Sequence, residues 1–177
     1  VCALEHMRRA ENDIVGAPWG NEPFRIGLWV GAGSTPNTTE MSAKWVNQQK
    51  GNAKWDSGAG SSSPLQLTNC PWCGSRFGPD NVRVEKYGPG RGRSFLFCHD
   101  KDCEFNRKNN PDEGVPVVTV DEEIYRLVPT FLLATVDKFA QMPWRGAAQA
   151  LFGCVPGRCN RHGWLGTEAD CKGLHNK

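Results

Sequence analysis

Two pairs of cysteines constrain this chain more than any other feature: Cys70-Pro71-Trp72-Cys73 and Cys98-His99-Asp100-Lys101-Asp102-Cys103. Each pair can bend into a tight knuckle that aims two thiolates at one point, and two facing knuckles complete the tetrahedron that Zn²⁺ accepts. Gly74 follows the second cysteine directly, where the backbone can turn at positive φ and bring its amide toward the sulfur. Between the pairs, Val82 to Tyr87 and Arg93 to Phe97 read as strands around the turn Gly88-Pro89-Gly90-Arg91-Gly92. The layout is that of a zinc ribbon with Cys70, Cys73, Cys98 and Cys103 as ligands. Two disulfides or four unrelated buried thiols are the competing readings, and the paired spacing argues against both.

Composition points the same way. A hydrophobic fraction of 38%, with 20 Gly and 12 Pro in 177 residues, is thin for a single compact core. The expectation is a loop-rich assembly of small units held together partly by metal. The formal charge of +2 is too close to zero to argue for nucleic acid, so local charge must carry that argument. Eight cysteines would suit a secreted disulfide protein, but they come in close pairs together with histidine and no signal peptide precedes them. A reducing cytoplasm fits better, and no run approaches the roughly 20 apolar residues of a membrane span. The chain opens on Val1-Cys2-Ala3-Leu4 as though already inside a helix, which reads as an excised piece of a larger protein.

Along the chain, Val1, Leu4 and then Met7 or His6 recur at helical spacing opposite Arg8, Arg9, Glu11 and Asn12, which predicts an amphipathic helix. Phe24 to Val30 reads as a buried strand running into the Gly-rich loop Gly31 to Asn37. That loop lacks the Gly-Lys-Ser/Thr ending of a Walker A sequence. Thr38 or Thr39 can cap a helix reaching about Lys50, with Glu40 favoured in its first turn. Asp56 to Pro64 has linker composition, and Phe105 to Gly114 reads as a polar exit loop. Val115 to Val120 predicts a strand, Asp121 a cap for a helix Glu122 to Arg126, and Pro129 to Ala134 another strand. A helix after Asp137 ends before Pro143, and Trp144 to Phe152 forms the next. Strand, polar loop and helix alternate on both sides of the ribbon, which predicts an α/β fold with a parallel sheet interrupted by an insert.

The tail holds Cys154, Cys159, His162, Cys171 and His175, one ligand more than a tetrahedral site needs. Cys159 with His162 and Cys171 with His175 pair most naturally as a second zinc site, with Cys154 spare or a substitute. On the ribbon hairpin, Arg83, Lys86, Tyr87, Arg91 and Arg93 combine cations with an aromatic, the kind of surface that binds nucleic acid, although a solvated rim has the same composition.

The run Pro129 to Ala140, the Leu-Trp-Val-Gly and Ser-Thr-Pro-Asn of Arg25 to Asn37, the Asp121 to Tyr125 stretch and the Cys-x-x-His-Gly at Cys159 resemble the superfamily 2 helicases of the DISARM phage-defence type. The resemblance implies a fragment of a RecA-like first motor domain: residues 1–56 and 115–153 in that domain, 57–114 a linker and zinc-ribbon insert, 154–177 a second zinc-bound segment. It further implies that Gly33, Ser34, Thr35 and Asn37 form one loop against a nucleic-acid strand and Thr135, Asp137 and Lys138 another, DNA being the expected partner. The parent would bind ATP and Mg²⁺ and work beside protein partners in a defence complex. This stretch carries neither the ATP-binding loop nor the Asp-Glu box, so it has no catalytic residues of its own. The alternative is a non-catalytic zinc-ribbon module that binds nucleic acid or a partner protein. A zinc hydrolase is disfavoured, because each site has enough Cys and His to close its coordination sphere.

Overall fold

The computed structural model describes residues 1–50, 62–88, 91–159 and 162–165. A central three-stranded sheet is built from β1 (Ile26–Trp29), β4 (Val117–Val118) and β5 (Phe131–Ala134), in the order β4-β1-β5 with both pairings parallel. Two antiparallel hairpins accompany it: β2 (Val82–Gly88) with β3 (Arg91–Leu96), and β6 (Gly157–Cys159) with β7 (Gly163–Leu165). Four helices complete the mixed α/β architecture: α1 (Cys2–Val15), α2 (Thr39–Gln49), α3 (Asp121–Leu127) and α4 (Val136–Gln141). Among the described residues no helix is long and apolar enough to cross a membrane.

Apolar burial falls into two clusters. Trp45 and Val46 of α2 pack with Leu65, Phe77, Val82, Leu96, Phe105, Val115 and three of the paired cysteines, so the ribbon and α2 share one core. Trp29, Val118, Ile124 and Leu127 form the second, between the sheet and α3. Polar contacts from α3 join the two. Its first amides, at Asp121 and Glu122, donate to the carbonyls of Pro36 and Asn37 in the loop after β1. Glu122 accepts from the backbone and hydroxyl of Thr39, Glu123 from the Ser94 amide of β3, and Arg126 donates to the carbonyls of Gly92 and His162. One short helix thereby ties together α2, the ribbon hairpin and the tail hairpin.

The structure alters three expectations of the sequence. Leu4 and Met7 of α1 face outward, 38% and 43% exposed, while Glu5 is fully buried. That inversion is stable because Arg8 donates to both Glu5 carboxylate oxygens, at 2.8 and 2.7 Å, and the Phe24 amide adds a third bond at 2.9 Å. Asp121 does not cap α3: it lies inside the first turn behind Val120, and its carboxylate accepts from Lys138. The segment after Pro143 is a 3-10 turn, Gly146–Phe152, and not an α-helix. Thr38 does cap α2, its hydroxyl accepting from the Met41 amide at 3.2 Å.

Candidate metal centre and sheet edge

Both knuckles lie where the antiparallel hairpin ends. In the first, the Gly74 amide donates to the Cys70 carbonyl at 2.9 Å with Gly74 at φ +80, the left-handed turn expected there, although the amide meets a carbonyl and not a sulfur. In the second, the Cys103 amide donates to the Asp100 carbonyl, and the amides of Asp100 and Phe105 approach the sulfurs of Cys98 and Cys103. The hairpin then positions the pairs face to face, with Cys70 Sγ 3.8 Å from Cys103 Sγ and Cys73 Sγ 3.5 Å from Cys98 Sγ. All four sulfurs lie within 4.8 Å of one another.

Those distances discriminate between the readings. A disulfide needs about 2.05 Å, whereas tetrahedral Zn²⁺ with Zn–S of about 2.3 Å sets its sulfurs about 3.8 Å apart. The group has the geometry to hold one metal ion such as zinc, and all four cysteines are free of disulfides. Burial pushes the Cys98 thiol up to about 11 and Cys103 higher still, while the Ser75 hydroxyl brings exposed Cys73 down to about 7. A divalent cation overrides the burial effect by binding the thiolates outright. Four sulfurs close the sphere, so such an ion would be structural.

The surroundings anchor this centre to the rest of the chain. Trp72, between the first two cysteines, packs against Phe105 and against His6 of α1, with centroids 5.7 and 4.9 Å away. On the other side, Glu113 is clasped by Arg25 before β1 through two bonds of 2.7 Å and by Arg93 of the hairpin at 2.6 Å. Burial raises the Glu113 carboxyl, but the charges of Arg93 and Arg25 outweigh it and hold the group below the usual carboxylate range.

In the tail, Cys159 and His162 are brought together across the β6–β7 turn, with Sγ 3.6 Å from Nδ1 and both residues buried. Gly163 follows at φ +83 against the Arg126 carbonyl, where a side chain would collide. Cys171 and His175 lie outside the described residues. Cys154 is exposed.

The parallel register sets Trp29 beside Ala134, so the chain leaves β1 and β5 at the same edge of the sheet, where the Thr135 amide donates to the Trp29 carbonyl at 3.2 Å. Ser34, Thr135 and Asp137 are exposed there; Asn37 is half-buried and Thr35 fully buried. Two of the expected strand-contacting cations are turned inward. Lys138 is 6% exposed and paired with Asp121 at 2.5 Å, and Arg93 belongs to the Glu113 clasp and lies over the Phe95 ring. Of Arg91 only the backbone is described. The sequence reading missed Glu113 and Asp121 as the partners that place these cations, and Arg25 as the second cation on Glu113.

No family model matches the chain. Among curated proteins it is 31% identical over 174 residues to the DISARM protein DrmA of Bacillus paralicheniformis, an alignment covering 93% of this chain. Over that stretch the chain is similar to this DrmA. The chain spans 14% of the length of that DrmA, and the aligned stretch takes in both the four-cysteine group and the sheet edge described above.

Proposed function

We propose that the chain is part of an ATP-dependent nucleic-acid motor acting in phage defence, to which it contributes strand-contacting loops and structural zinc modules. The observation that carries this reading is the parallel pairing of β1 with β5, which sets the loops after them side by side, in a chain similar to a DISARM protein. Ligands of open α/β sheets gather at the carboxyl ends of the strands. Exposed hydroxyls at Ser34 and Thr135 can bond phosphate oxygens without reading bases. Thr35, Asn37 and Lys138 act behind them as loop supports, Lys138 through Asp121, whose own amide holds the loop at Pro36. DNA is the proposed strand, and ATP with Mg²⁺ belongs to other parts of a longer protein. The tail adds a second structural zinc, held by Cys159, His162, Cys171 and His175.

The test uses a full-length protein that contains this chain. Ser34→Asp combined with Thr135→Asp sets like charges against phosphate and should lower DNA-stimulated ATP hydrolysis about tenfold or more. Zinc content and melting temperature should hold, since both side chains are exposed. Unchanged stimulation by DNA would overturn the reading.

A further inference from the structure

We infer a separate strand-binding groove between α2 and the zinc ribbon, one that takes the phosphodiester backbone of a single-stranded nucleic acid. The groove has a volume of about 710 Å³ and shares no lining residue with the β1–β5 edge. Val46, Val82 and Phe97 contribute apolar atoms to a lining that also includes Asn47, Asn81, His99 and Asn106. Three cations from three different elements line it: Lys50 at the end of α2, Arg83 on β2, and Arg107 in the turn after the second knuckle. Asp80 is the one carboxylate lining it among the described residues.

Two of those cations are available. Arg83 is engaged with Glu85 at 3.2 Å, whereas Lys50 and Arg107 are exposed and form no ion pair among the described residues. Two uncommitted cations in one groove, with a single opposing acid, complement a polyanion. Two of the three amides that line the groove are already engaged. Asn81 donates to the Phe97 carbonyl and accepts from Gly78, and Asn106 donates to the Cys98 carbonyl and accepts from Lys108, so neither is left to read a base edge. Lys50 and Arg107 would sit beside phosphates, while Asn47, exposed in the lining, is the one amide there, among the described residues, left open to a base edge.

The groove does not depend on the motor reading, and its test is kept apart from it. The zinc-loaded 177-residue chain is titrated with labelled oligo-dT and, in parallel, with poly-glutamate. Lys50→Ala with Arg107→Ala should weaken oligo-dT binding about tenfold or more and reduce the logarithmic salt slope by about 1.4, the amount expected for two phosphate contacts on a single strand. Lys44→Ala with Lys101→Ala removes the same charge from positions outside the groove and should bind as the parent chain does. An unchanged melting temperature verifies that each variant folds. Equal binding by the groove variant, equal loss in the control variant, or equally tight binding of poly-glutamate would each overturn the proposal. If Ser34→Asp with Thr135→Asp abolished oligo-dT binding while the groove variant retained it, the strand would lie on the sheet edge and the groove proposal would fall. Loss of the motor reading alone would leave the groove result standing.

Discussion

Glu113 is shared by two guanidinium groups, in a place almost without water. Glu113→Gln leaves Arg25 and Arg93 buried beside an uncharged amide and should cost roughly 3–5 kcal/mol, the range for removing one partner of a buried ion pair; urea unfolding at pH 7 measures it. Because this carboxyl is held below its ordinary range, its contribution is present above the unfolded value and is lost as pH falls through the folded one. Glu123 has the opposite sign. Burial raises it to about 7 from an ordinary 4.5, so its proton stabilises the fold below about 4.5 and that gain is lost as pH rises to about 7. Glu123→Gln, which keeps an acceptor for the Ser94 amide, should therefore match the parent chain near pH 4.5 and exceed it by about 3 kcal/mol at pH 8. A constant difference across that range would sink the assignment. These pairings also mark where sequence reading stops. Arg93 and Lys138 look like surface cations because their partners lie 20 and 17 residues away, far beyond the i,i+4 spacing that a helix reveals.

At the scale of elements, the ribbon was the most legible part, because knuckle geometry follows from cysteine spacing alone. α2 was legible through Thr38, a local capping signal. α1 was not: its buried face is set by Glu5, held by Arg8 of the same helix and by the distant Phe24 amide, so the apolar spacing of Leu4 and Met7 pointed the wrong way. The second half of the tail cluster rests on residues outside the described ones. For the first cluster the expectation is concrete. Cys98→Ser removes a buried ligand and should abolish tight zinc binding, with loss of cooperative melting, since Trp45, Phe77 and Phe105 pack around the same sulfurs. Chelation of the parent chain should produce the same calorimetric trace, and a variant that kept its zinc and its transition would remove Cys98 from the ligand set.

The whole molecule carries an apolar surface on β5, α4 and the turns that follow. Val136, Trp144 and Phe152 are 84%, 87% and 71% exposed, with Leu133 and Phe131 near half. Surfaces of this kind drive association. The 177-residue chain should therefore self-associate as its concentration rises, and Val136→Lys with Trp144→Ser should shift sedimentation toward the monomer without lowering the melting temperature. Concentration-independent sedimentation of the parent chain would contradict this.

The parallel pairing of Ile26 with Val117 also has a temporal side, because α2 and the entire ribbon lie between those two residues in the chain. Closing so long a loop is entropically slow. A folded ribbon shortens it, since the Val115 amide already donates to the Leu96 carbonyl at 2.8 Å and delivers β4 almost directly to β1. Metal capture by the four thiolates would thereby become the clock for sheet assembly. During refolding, the amides of Leu28 and Trp29 should exchange freely with solvent until zinc is supplied, and become protected only at the rate at which the four thiolates close on the ion.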